Sequence, residues 1–222
     1  MANYTWNFDA RRAGFPSPLV RVQLEGESRS CLGLVEGIRG GLARPVDPLQ
    51  RPDFEVLATL QGAWVRAGNE GAWLHVCSPR DATGHVTAWT LPILGEGAVT
   101  GFDPADLAPL LASTEAAFEN LPWAWRPPLE RHLAERVADV TGAYVVFVVG
   151  EDFELQGVNE RVERLHRLLP DSAHCLFATC VVPGHGARML LTLFRGGPRD
   201  VNNLHSPPPR RGSRGGCAGS ET

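Results

Sequence analysis

Between residues 142 and 197 the spacing of apolar positions changes repeatedly, and each change predicts an element. Residues 143–149 are apolar or aromatic throughout, dominated by valine and closed by Gly150. A β-branched run this short predicts a strand buried on both faces. From 155 to 169 the period lengthens. Leu155, Val158, Val162, Leu165, Leu168 and Leu169 recur at three and four, while Glu154, Glu160, Arg161, Glu163, Arg164 and Arg167 fill the gaps. That is one apolar stripe on a surface helix, stopped by Pro170 and Asp171. Residues 175–182 and 189–194 predict two further strands, and Pro183-Gly184-His185-Gly186 between them is hairpin chemistry.

Upstream the pattern is mostly extended. Residues 1–18 form a lead-in arm or edge strand. Imperfect alternation predicts strands at 19–24 and 31–36, with Pro- and Gly-rich loops at 37–41 and 45–52. Residues 54–65 and 72–77 predict longer strands around a Gly68-Asn69-Glu70-Gly71 turn, and 86–94 a further one. Residues 107–118 carry Leu107, Leu110, Leu111, Thr114 and Phe118 on one side of a helix, which Asp103 would cap with Pro104 as its first residue. The segment Leu121-Pro122-Trp123-Ala124-Trp125-Arg126-Pro127-Pro128 breaks it. Its two tryptophans suit either a docking surface or a lid on the core, and the lid is the expected role. Leu129, Leu133, Val137 and Val140 predict another helix over 129–140. Residues 198–222 are rich in proline, glycine, serine and arginine, the composition of a disordered tail. The expected fold class is α+β: a β-rich region over 1–100, a helix-on-sheet layer over 101–197, and the tail.

The order strand, Gly150-Glu151-Asp152, Leu155, Val158-Asn159-Glu160 in a helix, strand, Pro-containing turn, strand ending in Gly196-Gly197 resembles the C-terminal domain of FtsZ, the bacterial tubulin-like division protein. Upstream, Gly101-Phe102-Asp103-Pro104-Ala105-Asp106-Leu107 is similar to that family's synergy loop. The resemblance implies that Asp103 and Asp106 would reach the nucleotide of a neighbouring subunit and help place the hydrolytic water. Carboxylates suit that task because they accept a proton or orient water beside a phosphate. The same residues are also an ordinary helix start, with Asp106 near the positive end of the dipole.

The resemblance also implies a glycine-rich phosphate loop. Such loops bring backbone N–H groups close to phosphate at torsions a Cβ forbids. The nearest candidate, residues 95–101, keeps Gly95, Gly97, Thr100 and Gly101 but places Ala98 and Val99 at the crowded centre. A connection between two elements is therefore the expected role. GTP is the implied cofactor only if this loop grips phosphate; otherwise no cofactor is expected.

Composition narrows the classes that remain. A net charge of −4 over 222 residues gives no general basic field, so nucleic acid is not an expected partner. Every basic residue is arginine and they are scattered, which fits a GC-rich coding bias rather than arginine-specific chemistry. No apolar run reaches the roughly 18–20 residues that span a bilayer, and the N-terminus lacks a signal-peptide core. A cytoplasmic location without membrane attachment is expected. Cys31, Cys77, Cys175, Cys180 and Cys217 make no close pair. Cys175 and Cys180 are five apart on a strand and point to opposite faces, so no metal site is expected there or at His75, Cys77 and His85. Glu151, Asp152 and Glu154 form an acidic strand end read as a helix cap. No nucleophile elbow, zinc-protease helix, Walker loop or dinucleotide fingerprint occurs.

The expectation is a divergent FtsZ-like protein without an intact GTP-binding loop, acting through a protein partner or self-association, with a division filament as the candidate partner. A degenerate GTPase using residues 95–101 is the first alternative, and an unrelated α+β interaction module the second.

Overall fold

In a computed structural model, the residues described are 3–9, 19–25, 44–45, 52, 54–59, 61–67, 73–94, 99 and 104–196. They form two mixed sheets and four α-helices, an α+β arrangement. The first sheet contains β1 (Asn3–Asp9), β2 (Leu19–Glu25), β3 (Arg44–Pro45), β4 (Phe54–Thr59), β5 (Gly62–Ala67) and β6 (Leu74–Cys77), in the order β3-β1-β2-β4-β5-β6. Only β2 and β4 run parallel; the other neighbours are antiparallel. After a 3-10 turn (Pro79–Asp81) come α1 (Ala82–Leu94) and α2 (Pro104–Leu111). The second sheet has the order β7-β10-β8-β9, from β7 (Glu115–Pro122), β8 (Val140–Val149), β9 (His174–Val181) and β10 (Arg188–Arg195). Its helices are α3 (Pro127–Arg136) and α4 (Leu155–Leu168).

The helix α1 lies between the sheets. Residues 85–90 are all buried, so this stretch of the helix has no solvent face, the pattern of a helix surrounded by core. Trp89 shows how it joins the layers. Its ring meets Phe54 of the first sheet at 6.1 Å and Tyr144 and Phe194 of the second at 4.9 and 6.5 Å. Pro92 sits inside this helix and has no N–H, so the Ala88 carbonyl four residues back lacks its helical donor. The Tyr144 hydroxyl donates to that carbonyl at 2.8 Å, fully buried. Tertiary structure thus supplies the bond that proline removed.

The opposite face of the second sheet is covered by α3 and α4. Leu133, Val158 and Leu165 pack on Val145, Phe147 and Leu191. The central strand β8 is buried from residue 142 to 149, as its unbroken apolar run predicts. α4 links the parallel pair β8 and β9. The stripe of α4 buries Val158 and Leu165, but Leu155 at its start is 58% exposed. At Gly142 the close approach of α2 matters, because a Cβ there would collide with the Leu110 side chain and lie 3.1 Å from the His174 carbonyl.

Several expectations are corrected. Residues 183–186 do not close a hairpin: β8 lies between β9 and β10, so the turn carries the chain across the end of β8. The Val182 N–H donates to the Val149 carbonyl at 2.8 Å as it passes, and a Cβ at Gly150 would sit 3.3 Å from the His185 carbonyl. Residues 82–94 are helix, not strand, so the N-terminal region is less purely β than expected. The helix expected over 107–118 ends at Leu111, and 115–122 pairs with β10 as a strand. The helix expected over 129–140 ends at Arg136, and Val140 already belongs to β8. The single strand expected over 54–65 is broken at Gln61 into β4 and β5. The 31–36 strand, the Gly68–Gly71 turn residues and the 198–222 tail fall outside the described residues.

The proline compensation predicts a coupled pair of substitutions. Tyr144→Phe should destabilise by about 1–3 kcal/mol, the cost of an orphaned buried carbonyl. In a Pro92→Ala background, where residue 92 regains an N–H for Ala88, the same change should cost distinctly less. Denaturant melts of the four proteins of this cycle measure the difference.

Candidate interaction face

Two exposed residues outside the sheet, Val99 and Asp106, are bonded to β9, the edge strand of the second sheet. An edge strand presents unpaired backbone groups that must be covered or paired. Here Val99 and the first turn of α2 both meet that edge. The Val99 N–H donates to the Thr179 carbonyl at 2.8 Å. At the other end, His174 Nε2 donates to the Asp106 carbonyl at 3.3 Å. Two strand residues, Thr179 and His174, thus hold the backbones of Val99 and Asp106. Val99 is 51% exposed, and Asp106 is exposed in the first turn of α2. Pro104 opens α2, where its missing N–H costs nothing.

Of the residues singled out in the sequence, Asp106 is on this face. Asp103 and the phosphate-loop candidates Gly95, Gly97, Thr100 and Gly101 lie outside the described residues. Sequence reasoning weighs His174 only as a metal ligand and gives Thr179 no role, because a strand's edge position depends on pairing partners that local pattern does not encode. Val99 counted only as an obstacle to phosphate, whereas its backbone anchors the segment.

Other chemistry-bearing residues are held in structural roles. Trp123 packs edge-on to Phe147 at 6.2 Å, and the Arg161 guanidinium lies 3.7 Å above its ring. Arg161 also donates to the Trp123 carbonyl through Nε and Nη2, at 3.0 and 2.8 Å, and to the Gly157 carbonyl. The tryptophan segment is therefore a lid clasped onto α4. Cys175 faces the helix-covered side of the sheet and Cys180 the α1 side, as their odd spacing predicts. Burial raises both thiols, Cys180 to about 12, so neither is a ready nucleophile. Glu154 is the N-cap of α4 by position, yet its side chain makes no capping bond. In the first sheet, the fully buried Glu55 is flanked across strands by Arg21 at 2.8 Å and by Arg66, a satisfied ion ladder. Among the described residues no group of three or more His, Cys, Asp or Glu converges to hold a metal ion.

His85 is the most perturbed histidine. It is enclosed by Trp89 at 5.9 Å and Phe118 at 5.9 Å. Burial pushes its pKa down to about 3, against a smaller raising influence from the Trp64 backbone and a further lowering by His75. The Trp64 backbone is near enough to be felt, but neither ring nitrogen makes a well-formed hydrogen bond.

No family model matches the sequence, and no curated protein matches it. Among solved structures, the chain is similar to an FtsZ dimer of M. jannaschii at 15% identity, covering 52% of this chain and 37% of that one, with a TM-score of 0.43. It is also similar to TubZ of Bacillus thuringiensis serovar israelensis in a GTPγS-form protofilament, at 13% identity over 53% of this chain and 35% of that one, with a TM-score of 0.37. The chain spans little more than a third of the length of either. No helix among the described residues is long and apolar enough to cross a membrane.

The buried histidine predicts an acid-labile fold. Its folded pKa of about 3 lies below the unfolded value of 6.5, so the unfolded chain binds a proton first. Stability is full above pH 6.5 and is lost as pH falls from there towards 3, with about 2 kcal/mol gone by pH 5. Melts of the native chain and of His85→Leu between pH 8 and pH 5 should diverge by that amount, with the native chain falling faster.

Proposed function

We propose that this chain is a divergent relative of the FtsZ and tubulin proteins that works through protein–protein contact, with the segment around Val99 and Asp106 as its contact face. The observation that carries this reading is the pinning of that segment to the edge strand. Bonds at the Val99 and Asp106 backbones hold these two exposed residues on β9, which lowers the ordering cost of docking. The family resemblance of residues 101–197 supplies the partner class: a division filament, or a second copy of the chain. On this reading the C-terminal sheet with its helices is the FtsZ-like unit and the N-terminal sheet is a separate β-rich region.

A contact role in place of nucleotide hydrolysis is supported by the first sheet. Nucleotide grips in open α/β sheets sit beyond the carboxyl ends of neighbouring parallel strands, and among the described residues of that sheet β2–β4 is the one parallel pair. It is also supported by Val99 and Ala98 in the loop where close phosphate approach needs glycine.

Co-sedimentation with FtsZ filaments, together with analytical ultracentrifugation of the chain alone, tests the reading. The chain should pellet with filaments or self-associate. Val99→Glu should abolish whichever is seen while shifting stability by less than about 0.5 kcal/mol, as for exposed positions. A fluorescent GTP analogue should not bind. Saturable GTP binding would move the protein to the GTPase reading, and neither pelleting nor self-association would remove the contact role.

A further inference from the structure

We propose that the layer between α1 and the four-stranded sheet is an internal binding site for ordered water, held by Trp89, His85 and Thr192. These three side chains carry polar atoms without a well-formed hydrogen bond: Trp89 Nε1, Thr192 Oγ1 and the ring nitrogens of His85, of which one is influenced by the Trp64 backbone and the other is left for this layer. All three residues are completely buried. They also lie together. His85 and Trp89 are one turn apart on α1, on the same side. Thr192 alternates on β10 with Leu190 and Phe194, which pack in the α1 layer, so its side chain faces that helix. Its cross-strand neighbours are Phe118 and Tyr144. The Phe118 ring packs edge-on to His85, and the Tyr144 ring packs on Trp89. Thr192 is therefore flanked by the two rings that touch the other two members.

The donor and acceptor inventory selects the ligand. An indole N–H only donates, a hydroxyl donates and accepts, and a neutral imidazole offers one of each. The Tyr144 hydroxyl in the same layer is committed to the Ala88 carbonyl. The Thr87 and Thr90 hydroxyls are turned back onto carbonyls of their own helix. A molecule that satisfies the remaining groups among aromatic rings must be small and must both accept and donate. Water fits, since internal waters characteristically make two to four hydrogen bonds to polar groups otherwise unsatisfied. The site would tie the central helix to β10 by hydrogen bonds as well as by ring packing.

Thr192→Val separates this proposal from a merely unsatisfied hydroxyl, because the two give opposite signs. Removing an unpartnered buried hydroxyl at constant shape raises the melting temperature. Removing one that holds a water strips the bridge from Trp89 and His85 and should lower it by about 2–4 °C. In the native chain, the Trp89 indole proton, assigned by its loss in Trp89→Phe, should show a dipolar cross-peak to the water resonance with the sign of a long-lived internal molecule. An unchanged or higher melting temperature for Thr192→Val, or the absence of that cross-peak, overturns the proposal.

Discussion

A helix with no polar face can exist in water only if something surrounds it, and α1 sets that requirement for the whole chain. Residues 85–90 include Val86, Ala88 and Trp89 with no exposed surface at all. Leaving a tryptophan and its neighbours uncovered would forfeit several kcal/mol of burial. One sheet covers one side of a helix, so the chain needs two. Pro92 adds a second demand, because it leaves a main-chain carbonyl without its donor in the driest part of the molecule. That donor comes from Tyr144, on the most buried strand of the second sheet. Helix and sheet therefore specify each other: the sheet completes the helix, and the helix covers the sheet.

The same logic explains the second sheet's connectivity. β8 is apolar on both faces, so it must be central, with neighbours on each edge and layers above and below. α4 brings the chain back to lay β9 parallel on one side. The chain then crosses over the end of β8 to place β10 on the other side, and Gly150 gives the crossing room. This leaves β9 and β7 as edges. β7 lies against β6 of the first sheet, and β9 takes the segment carrying Val99. Both edges are managed locally, as soluble sheets require.

Much of this was legible in the sequence wherever a segment has one environment. The valine run of β8, the stripe of α4 and the spacing of Cys175 and Cys180 each report burial on defined faces, and local pattern is enough. The failures share a physical cause. α1 was read as a strand because a helix buried on every side loses the 3.6 period, and its threonines and valine favour extended chain. The first half of β7 reads as helix because Thr114 and Phe118 continue the helical spacing of Leu107, Leu110 and Leu111, and Glu115, Ala116 and Ala117 do not oppose it. Pairing along the whole of β10 outweighs that preference. The Pro-Gly turn read as a hairpin because turn chemistry specifies a reversal, not which strand lies beside the next. The contact face was half legible. Asp106 at a helix start could be seen, but His174 and Thr179 matter only through the edge position of β9.

The disposition of charged and titratable groups bears on what kind of protein this is. Catalytic groups are perturbed and also accessible, since they must meet a substrate. Among the described residues those properties separate. The strongly shifted groups, His85, Tyr144 and Cys180, have no exposed surface, and burial holds each in its neutral form. The arginines with the best-formed contacts are spent internally: Arg21 and Arg66 on Glu55, Arg161 on main-chain carbonyls, Arg195 on Asp139 and the Arg136 carbonyl. What the described surface does offer, at the pinned edge of β9, is an exposed aliphatic side chain and a carboxylate on a fixed backbone. Bonds to β9 hold the Val99 and Asp106 backbones in place, so less conformational freedom remains to be lost there on contact.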